Sequence, residues 1–286
     1  MTLCRKLDGE PPRTSMPKGA IDTQCHLYLP DCPAVPGAVS VPEGCPGPDD
    51  YRVVMRRLGV DRTVVTQGNA HGFDNASLLA CLSEMGPVAR GVAVVTGETS
   101  DAEMQRLSDG GIVGARIMDL PGGAVGLDQL EAVDARAEAF AWMLAIQFDG
   151  SKILEHETRL AGLRSRWVLD HHGKFFAGVT PESGQVDAVK RLIDGGRCWF
   201  KFAACYESSL SGGPAYSDVG AVARTIASYA PERIIWGTNW PHNMIRRSED
   251  YPDDAELLDL AMGWIPDDRG RQLALVDNPS ELFFRS

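Results

Sequence analysis

The amino-acid sequence predicts an α/β fold, a single (β/α)8 TIM barrel. Eight short runs of apolar and β-branched residues recur along the chain, and a helix-like segment follows each of them. The intervals between these runs are similar along the whole chain, which favours one domain. Eight is also the number of parallel strands that closes this type of barrel. We place the strands near residues 20–26, 62–68, 89–95, 113–119, 143–149, 167–172, 198–205 and 233–238.

Helix stop signals support helices between these strands. Gly-Pro follows residues 74–85, and a pair of glycines follows closely after each of the segments 100–108 and 186–193. Toward the end of the chain the pattern predicts two or three more helices, at 254–262, 267–276 and 279–284. Strands alternating with helices on this scale are typical of parallel strands joined by helical crossovers.

Two segments depart from this alternation. Residues 29–48, between the first strand and the first helix, contain six prolines and are too long for a simple connector. We predict that they form an ordered active-site loop. Residues 1–18 are polar and contain prolines, and we predict a flexible N-terminal segment ahead of a catalytic barrel domain at residues 19–286.

The composition and the absence of certain motifs exclude several classes of binding partner. The formal charge of −11 and the pI near 5 argue against nucleic acid and against an anionic membrane surface. Seven cysteines without a C-x-x-C pair are typical of reduced thiols in a cytoplasmic protein. Neither a leader peptide nor a membrane span is indicated, and phosphate-loop and dinucleotide motifs are absent from the sequence. We therefore expect a cytoplasmic protein with a small-molecule substrate.

Two amides stand where a metal-dependent hydrolase barrel would carry metal ligands. Asn239 follows the last strand, where an Asp commonly binds the metal and takes a proton from water. In the first strand Asp22, Gln24 and His26 alternate on one predicted face, and Gln24 replaces the first histidine of a metal-binding His-x-His pair. Because an amide is a poor metal ligand, the sequence predicts a site with no metal, and it indicates no other cofactor.

Polar side chains gather at the C-terminal ends of the predicted strands, where barrels of this kind carry their active sites. His26 is the first candidate, although a core histidine bonded to the backbone is the alternative. His171 and His172 are adjacent, so they point to opposite sides of a strand; we favour His171 for the pocket and His172 for packing or support of the site. His71 lies in a loop, where it could bind substrate or face solvent.

Cations within apolar strands form a second group of candidates. Arg116 and Lys201 are costly there unless each meets an anion. That anion could be a substrate carboxylate or a structural partner among Asp119, Asp149 and Asp170. Lys174 is interpreted as a solvated loop lysine. The strand residue Gln147 could orient hydroxyl groups but could not activate water.

Several long segments resemble a known family. They are residues 22–30, 66–71, 113–125, 147–150, 170–176, 199–203, 206–209 and 236–243. In these segments the chain resembles the amidohydrolase superfamily, and within it a branch of lactone-processing enzymes. The resemblance runs from near residue 19 to the C-terminus, and stretches of this length are more specific than any short motif. It implies a TIM barrel of the amidohydrolase type.

The resemblance implies a metal-independent isomerase that converts D-galactaro-1,5-lactone to the 1,4-lactone in the catabolism of uronic and aldaric acids. The partner would be a small anionic sugar-acid lactone. Such a reaction needs a hydroxyl held against the lactone carbonyl, a stabilised oxyanion and a modest base. We assign catalysis to His26, His171 and Asn239. We assign substrate binding to Asp22, Gln24, Gln67, His71, Arg116, Gln147, Lys201, Tyr206 and His242.

Two alternatives stay open. One is a lactone hydrolase of the same fold, either metal-free or holding one zinc ion through His26 and His171. The other is a sugar-acid-binding barrel that has lost catalysis, although the histidines and cations at the strand ends argue against it.

Overall fold

A computed structural model describes residues 3–284 and shows a ring of eight parallel strands in sequential order. Each strand pairs in parallel with the next one along the chain. The ring closes where Cys25 and Trp240 form a parallel bridge and His26 N donates to Trp240 O at 2.7 Å. The predicted TIM barrel is therefore confirmed. The strands are β1 (Ile21–Cys25), β2 (Arg62–Thr66), β3 (Ala89–Ala93), β4 (Ile112–Asp119), β5 (Met143–Phe148), β6 (Trp167–Leu169), β7 (Cys198–Phe202) and β8 (Ile234–Trp236).

Helices connect the strands and follow the last one. They are α1 (Pro48–Leu58), α2 (Ala76–Met85), α3 (Asp101–Asp109), α4 (Leu130–Ala139), α5 (Ile153–Ala161), α6 (Gly184–Asp194), α7 (Ser217–Tyr229), α8 (Asp254–Met262), α9 (Asp268–Gln272) and α10 (Asn278–Phe283). The predicted helix at 267–276 is divided between α9 and a π-helical turn, Leu273–Asp277. No helix within residues 3–284 is both long enough and apolar enough to cross a membrane.

The end of the barrel interior opposite the polar strand ends is apolar. Leu282 and Phe283 of α10 pack beneath it, and α10 is held to β8 because Asn278 Nδ2 donates to Ile234 O at 2.7 Å. Filling this end of the barrel leaves the polar strand ends to gather at the opposite mouth. The inward-facing apolar residues are Ile21, Val64, Val92, Met143, Ala145, Val168, Trp199 and Ile235.

Strand β1 does not alternate regularly. Its register against β2 shifts between Asp22 and Cys25. Ile21 packs inside the barrel, whereas the Asp22 carboxylate lies against α1 and accepts a hydrogen bond from Tyr51 OH at 2.5 Å. The prediction that Asp22 shares a face with Gln24 and His26 is therefore wrong, because the irregular register breaks the two-residue period.

The first described residues lie along the outside of the barrel. Thr14 N donates to Asp259 Oδ1 at 2.7 Å, and Arg13 pairs with the other oxygen of the same carboxylate at 3.0 Å. Farther toward the N-terminus, Cys4 N donates to Ser248 Oγ at 2.8 Å. These contacts place the segment beside α8 and the loop before it. The flexibility of residues 1–18 and the domain boundary at residue 19 stay predictions.

Gly237 allows β8 to approach β1, and we expect Gly237→Ala to destabilise the barrel. A Cβ at this position would lie 2.6 Å from Gln24 Cβ and 2.7 Å from Gln24 N. Overpacking of this kind should lower the free energy of unfolding by about 1–3 kcal/mol, measured by urea denaturation. Gly184→Ala is the matched control, because its Cβ would meet only Leu154 Cδ1 within 4 Å, at 3.8 Å. Equal stability of Gly237→Ala and the wild type would contradict this account of barrel closure.

Candidate active site

Left-handed backbone conformations cluster at the ends of β6, β7 and β8. Among the described residues, six of the nine non-glycine residues with positive φ lie there. Such conformations cost energy, so they persist where surrounding contacts enforce them, and they are common at functional sites. The six are His171 (51°), His172 (53°), Lys174 (49°), Ala204 (51°), Asn239 (63°) and His242 (55°).

His26, after β1, is a buried neutral histidine. Its Nδ1 lies 2.8 Å from Thr66 O, which can only accept, so Nδ1 carries the ring proton. Nε2 therefore presents a lone pair, and Gln24 Nε2 lies 3.4 Å from it. Burial, and then the nearby Arg116 guanidinium, lowers the pKa of His26 to about 3. The ring is thus both bonded to the backbone and a proton acceptor at Nε2.

Lys201, on β7, lies between strands β1 and β6. Its Nζ donates to Gln24 Oε1 at 2.8 Å and forms an ion pair with Asp170 Oδ1, 2.7 Å away. Burial alone would raise the pKa of Asp170, but Lys201 and then His171 hold it below its usual range. The structural ion pair weighed for Lys201 is therefore present. Asp170 was not among the predicted site residues, although its place at the end of β6 was an available signal.

His171 and Asn239 form the other side of the site. Asn239 Nδ2 donates to Glu207 Oε1 at 3.0 Å and to Tyr206 OH at 3.1 Å, so Asn239 Oδ1 faces the histidine. His171 Nε2 lies 3.1 Å from that oxygen and must donate to it, while His171 Nδ1 lies 3.5 Å from Asp170 Oδ1. In this arrangement His171 presents an N–H, whereas His26 presents a lone pair.

His172 points away from these groups. It stacks on Phe202, with ring centroids 4.9 Å apart, and meets the edge of Trp264 at 5.3 Å. Burial, and then the neighbouring His171, lowers the pKa of His172 to about 3. The ring is therefore held neutral in aromatic packing.

The interpretation of Lys174 as a solvated lysine is wrong. The turn His171–Lys174 has left-handed residues, which direct Lys174 inward to a buried salt bridge with Glu207. Burial would raise the pKa of Glu207, but Lys174 and then His171 lower it, so the carboxylate stays ionised. Sequence analysis missed Glu207 as a site residue, because nothing in the β7–α7 loop shows how it turns back toward Asn239.

Arg116, on β4, has only neutral partners. Its Nη1 donates to Gln67 O at 2.8 Å and to Asn69 Oδ1 at 2.7 Å, and Nη2 lies 3.3 Å from Gln147 Oε1. No carboxylate in residues 3–284 lies within ion-pair distance of the guanidinium, and Arg116 Nε has no hydrogen-bond partner there. The side chain is only 6% exposed, and burial lowers its pKa. A buried cation without a counter-ion is suited to bind an anion.

Three predicted binding residues use their side chains within the protein. Asp22 accepts four hydrogen bonds, two of them from the side chain and backbone of Thr238 at 2.5 and 3.0 Å. Gln67 Nε2 donates to Asp74 O at 2.6 Å, within its own loop. His242 has both ring nitrogens occupied, by Tyr206 OH and Asp254.

His71 is buried rather than facing solvent, so that alternative is excluded. Its ring lies 5.8 Å from the ring of Tyr28, and burial lowers its pKa. Pro33, in the proline-rich loop, offers a backbone hydrogen bond to the ring. His71 therefore connects the loop after β2 to the loop after β1, beside the site.

The donor set does not suit a divalent metal ion. Within the described part of the chain, no three His, Cys, Asp or Glu side chains converge as metal ligands would. The ammonium of Lys201 contacts both Gln24 and Asp170, so a second cation between them would be repelled.

Comparison with known proteins identifies the class. The model of the amidohydrolase family matches residues 21–285, so this chain is an enzyme of the amidohydrolase family. It is 54% identical to D-galactarolactone isomerase of Agrobacterium fabrum, over 98% of this chain and 96% of that protein. It is 31% identical to a 2-pyrone-4,6-dicarboxylate hydrolase of Comamonas testosteroni, over 96% and 92% of the two chains. The predicted resemblance to lactone-processing amidohydrolases is confirmed.

A solved structure supports the same grouping. The apo crystal structure of an Agrobacterium tumefaciens protein is 53% identical to this chain and superimposes with a TM-score of 0.96, covering 99% of each chain.

The pKa values predict how stability depends on pH. Because the pKa of His172 falls from 6.5 to about 3 on folding, the unfolded chain binds more protons between these pH values. Stability is therefore lost as the pH falls through this window, and His26 contributes with the same sign. Asp22 acts in the opposite direction, since burial raises its pKa from 3.8 to about 6. Its contribution is lost as the pH rises through that range.

We expect His172→Phe to remove one of these contributions while keeping the aromatic stack. Between pH 6.5 and 4.5, the wild type should lose on the order of 2 kcal/mol more unfolding free energy than the variant. Urea denaturation at several pH values measures the difference. His156→Phe, at a half-buried position on α5, is the control and should follow the wild-type curve. Parallel curves for the wild type and His172→Phe would show that His172 is not held neutral.

Proposed function

We propose that this enzyme converts D-galactaro-1,5-lactone to D-galactaro-1,4-lactone by intramolecular acyl transfer, without a metal ion. We place the reaction in the cytoplasmic catabolism of uronic and aldaric acids, and D-glucaro-1,5-lactone is a second candidate substrate. The 54% identity to D-galactarolactone isomerase supports the reaction type. The observation that carries the proposal is the pair of histidines with opposite hydrogen-bonding states, an acceptor at His26 and a donor at His171.

The acyl transfer needs one proton to move between two oxygens of the substrate. The C4 hydroxyl attacks the C1 carbonyl, a tetrahedral intermediate forms, and the C5 oxygen leaves as the 1,5-ring opens. His26 Nε2 accepts the C4 hydroxyl proton and passes it to the departing C5 oxygen. His26 thereby returns to its starting state, and the reaction has no net proton change.

The ammonium group of Lys201 supplies positive charge for the oxyanion. Lys201 donates one of its three N–H groups to Gln24 and forms an ion pair with Asp170, so donor capacity is left for the substrate. The Nε2–H of His171 is donated to Asn239 Oδ1 and is therefore not free for the oxyanion. Fixed donors in a buried site stabilise a developing oxyanion more strongly than water does.

Arg116 is the residue we assign to the distal carboxylate of the substrate. Lys201 already has Asp170 as its partner, whereas Arg116 contacts only neutral groups. Binding the carboxylate would also offset the positive charge that helps to lower the pKa of His26. The substrate would thus make His26 a better base at the moment it is needed.

The site is also unsuited to activate water for attack on the lactone. The amides Gln24 and Asn239 replace a histidine and a carboxylate that could bind metal or take a proton from water. His26, His171 and Asn239 are each at most 4% exposed, so bulk water is excluded from them. These features favour transfer to the internal hydroxyl over hydrolysis.

Proton NMR of freshly generated D-galactaro-1,5-lactone with chelator-treated enzyme tests the proposal. We expect the 1,4-lactone to rise well above the uncatalysed rate, without open-chain galactarate. His26→Asn, which cannot accept the proton at Nε2, should lower kcat by about 100-fold or more. Formation of galactarate, in particular only after metal is restored, would make the enzyme a hydrolase and overturn the proposal.

Arg116→Met should weaken recognition of the carboxylate. We expect a loss of about 10- to 100-fold in kcat/KM for the aldarolactone, mainly through KM. D-galactono-1,5-lactone, whose distal carbon carries a hydroxyl instead of a carboxylate, is the matched control substrate. The wild type and the variant should process it equally slowly. An equal loss on both substrates would show that Arg116 acts by supporting the fold of the site.

A further inference from the structure

His242 is completely buried and has no nitrogen free for a substrate. Its Nε2 lies 3.0 Å from Asp254 Oδ1, and its Nδ1 lies 2.7 Å from Tyr206 OH. Asp254 is the first residue of α8, outside the strands of the barrel, and is itself 1% exposed. A buried carboxylate, a histidine and a phenol therefore form a chain that leads from α8 to the end of β7.

The direction of each hydrogen bond in this chain is determined by its neighbours. The carboxylate of Asp254 accepts, so His242 carries its proton on Nε2 and accepts at Nδ1. Tyr206 OH must then donate to His242 Nδ1. The phenol oxygen is left to accept from Asn239 Nδ2, at 3.1 Å. Burial, and then the nearby Glu207, raises the pKa of Tyr206 well above its usual value, which keeps the phenol a donor.

The hydrogen bonds of Tyr206 fix the orientation of the Asn239 amide, and this amide contacts His171. One Nδ2 hydrogen goes to Tyr206 and the other to Glu207, which Lys174 pairs with. The amide oxygen is thereby turned toward His171 Nε2. Glu207 accepts one hydrogen of the amide, and Tyr206 accepts the other. Both hydrogen bonds are needed to fix the rotation of the amide about its χ2 angle.

We propose that Asp254 is a positioning residue that acts through His242 and Tyr206 to hold the Asn239 amide with its oxygen toward His171. This inference rests on the proposed function for its kinetic consequences. The hydrogen-bond directions can be measured in the enzyme without substrate. Asp254 and His242 would influence the rate although neither touches the substrate, which corrects the assignment of His242 to substrate binding.

Asp254→Asn is the primary test. The second oxygen of Asp254 has no hydrogen-bond partner, so nothing fixes the orientation of the replacing amide. The amide can present an N–H to His242 and favour the other ring tautomer. In 15N-histidine-labelled protein we expect the wild-type His242 signals to show Nε2–H and those of the variant to shift toward Nδ1–H. We expect kcat to fall about 10- to 100-fold with KM within about twofold of the wild type.

Two comparisons separate positioning from general damage. Glu256→Gln changes an exposed carboxylate on the same helix and should leave kcat, KM and the His242 signals unchanged. In a Tyr206→Phe background, Asp254→Asn should have no further effect on kcat, because the chain is already interrupted.

Three outcomes would overturn the positioning role. They are an unchanged His242 tautomer in Asp254→Asn, an unchanged kcat, and an equal fall in kcat with and without Tyr206. A wild-type enzyme that does not isomerise the lactone would instead remove the proposed function. The tautomer measurement would still decide whether Asp254 directs the chain.

Discussion

The buried ion pair between Lys201 and Asp170 is the contact on which the rest of the site depends. It joins β7 to the end of β6 at 2.7 Å, and the same ammonium reaches Gln24 on β1. Isolated charges are too costly inside a barrel, so each of these groups keeps the others in place. Two further ions extend the network, since Lys174 pairs with Glu207 and both carboxylates lie beside His171.

This network leaves one positive charge without a partner. Lys201 and Lys174 are neutralised by Asp170 and Glu207, whereas Arg116 contacts only uncharged groups. Among Lys201, Lys174, Arg116, Asp170 and Glu207, the sum is one positive charge. A lactone with a single free carboxylate would neutralise it. The proposed anionic sugar-acid lactone would thus bring its carboxylate to the one cation of this set without a counter-ion.

Sequence analysis could predict the barrel because apolar periodicity and helix stops are local signals. It also found most of the residues at the mouth, since parallel strands bring their C-terminal ends to one place. It failed where the backbone departs from regular geometry. The register shift in β1 moved Asp22 to the outer face, and the left-handed turn after β6 brought Lys174 inward to Glu207.

Contacts between side chains that are far apart in sequence could not be predicted either. Asp254 follows a loop after β8, and only the packing of α8 against the barrel places it beside His242. No periodic pattern encodes such a contact. The choice between a substrate carboxylate and a structural ion pair for Lys201 could be made only once Asp170 was located.

The two amides have a use that their weakness as metal ligands does not describe. Gln24 accepts from Lys201 through Oε1 and faces the lone pair of His26 with Nε2. Asn239 donates twice through Nδ2 and accepts from His171 through Oδ1. An amide is a neutral side chain that offers donor and acceptor together, so each one can fix the hydrogen-bonding state of a neighbouring histidine. A carboxylate at position 239 would keep the acceptor and lose the donors, exposing Glu207 to a like charge. In the proposed reaction, the two amides thus withhold an activated water and also set one histidine as acceptor and the other as donor.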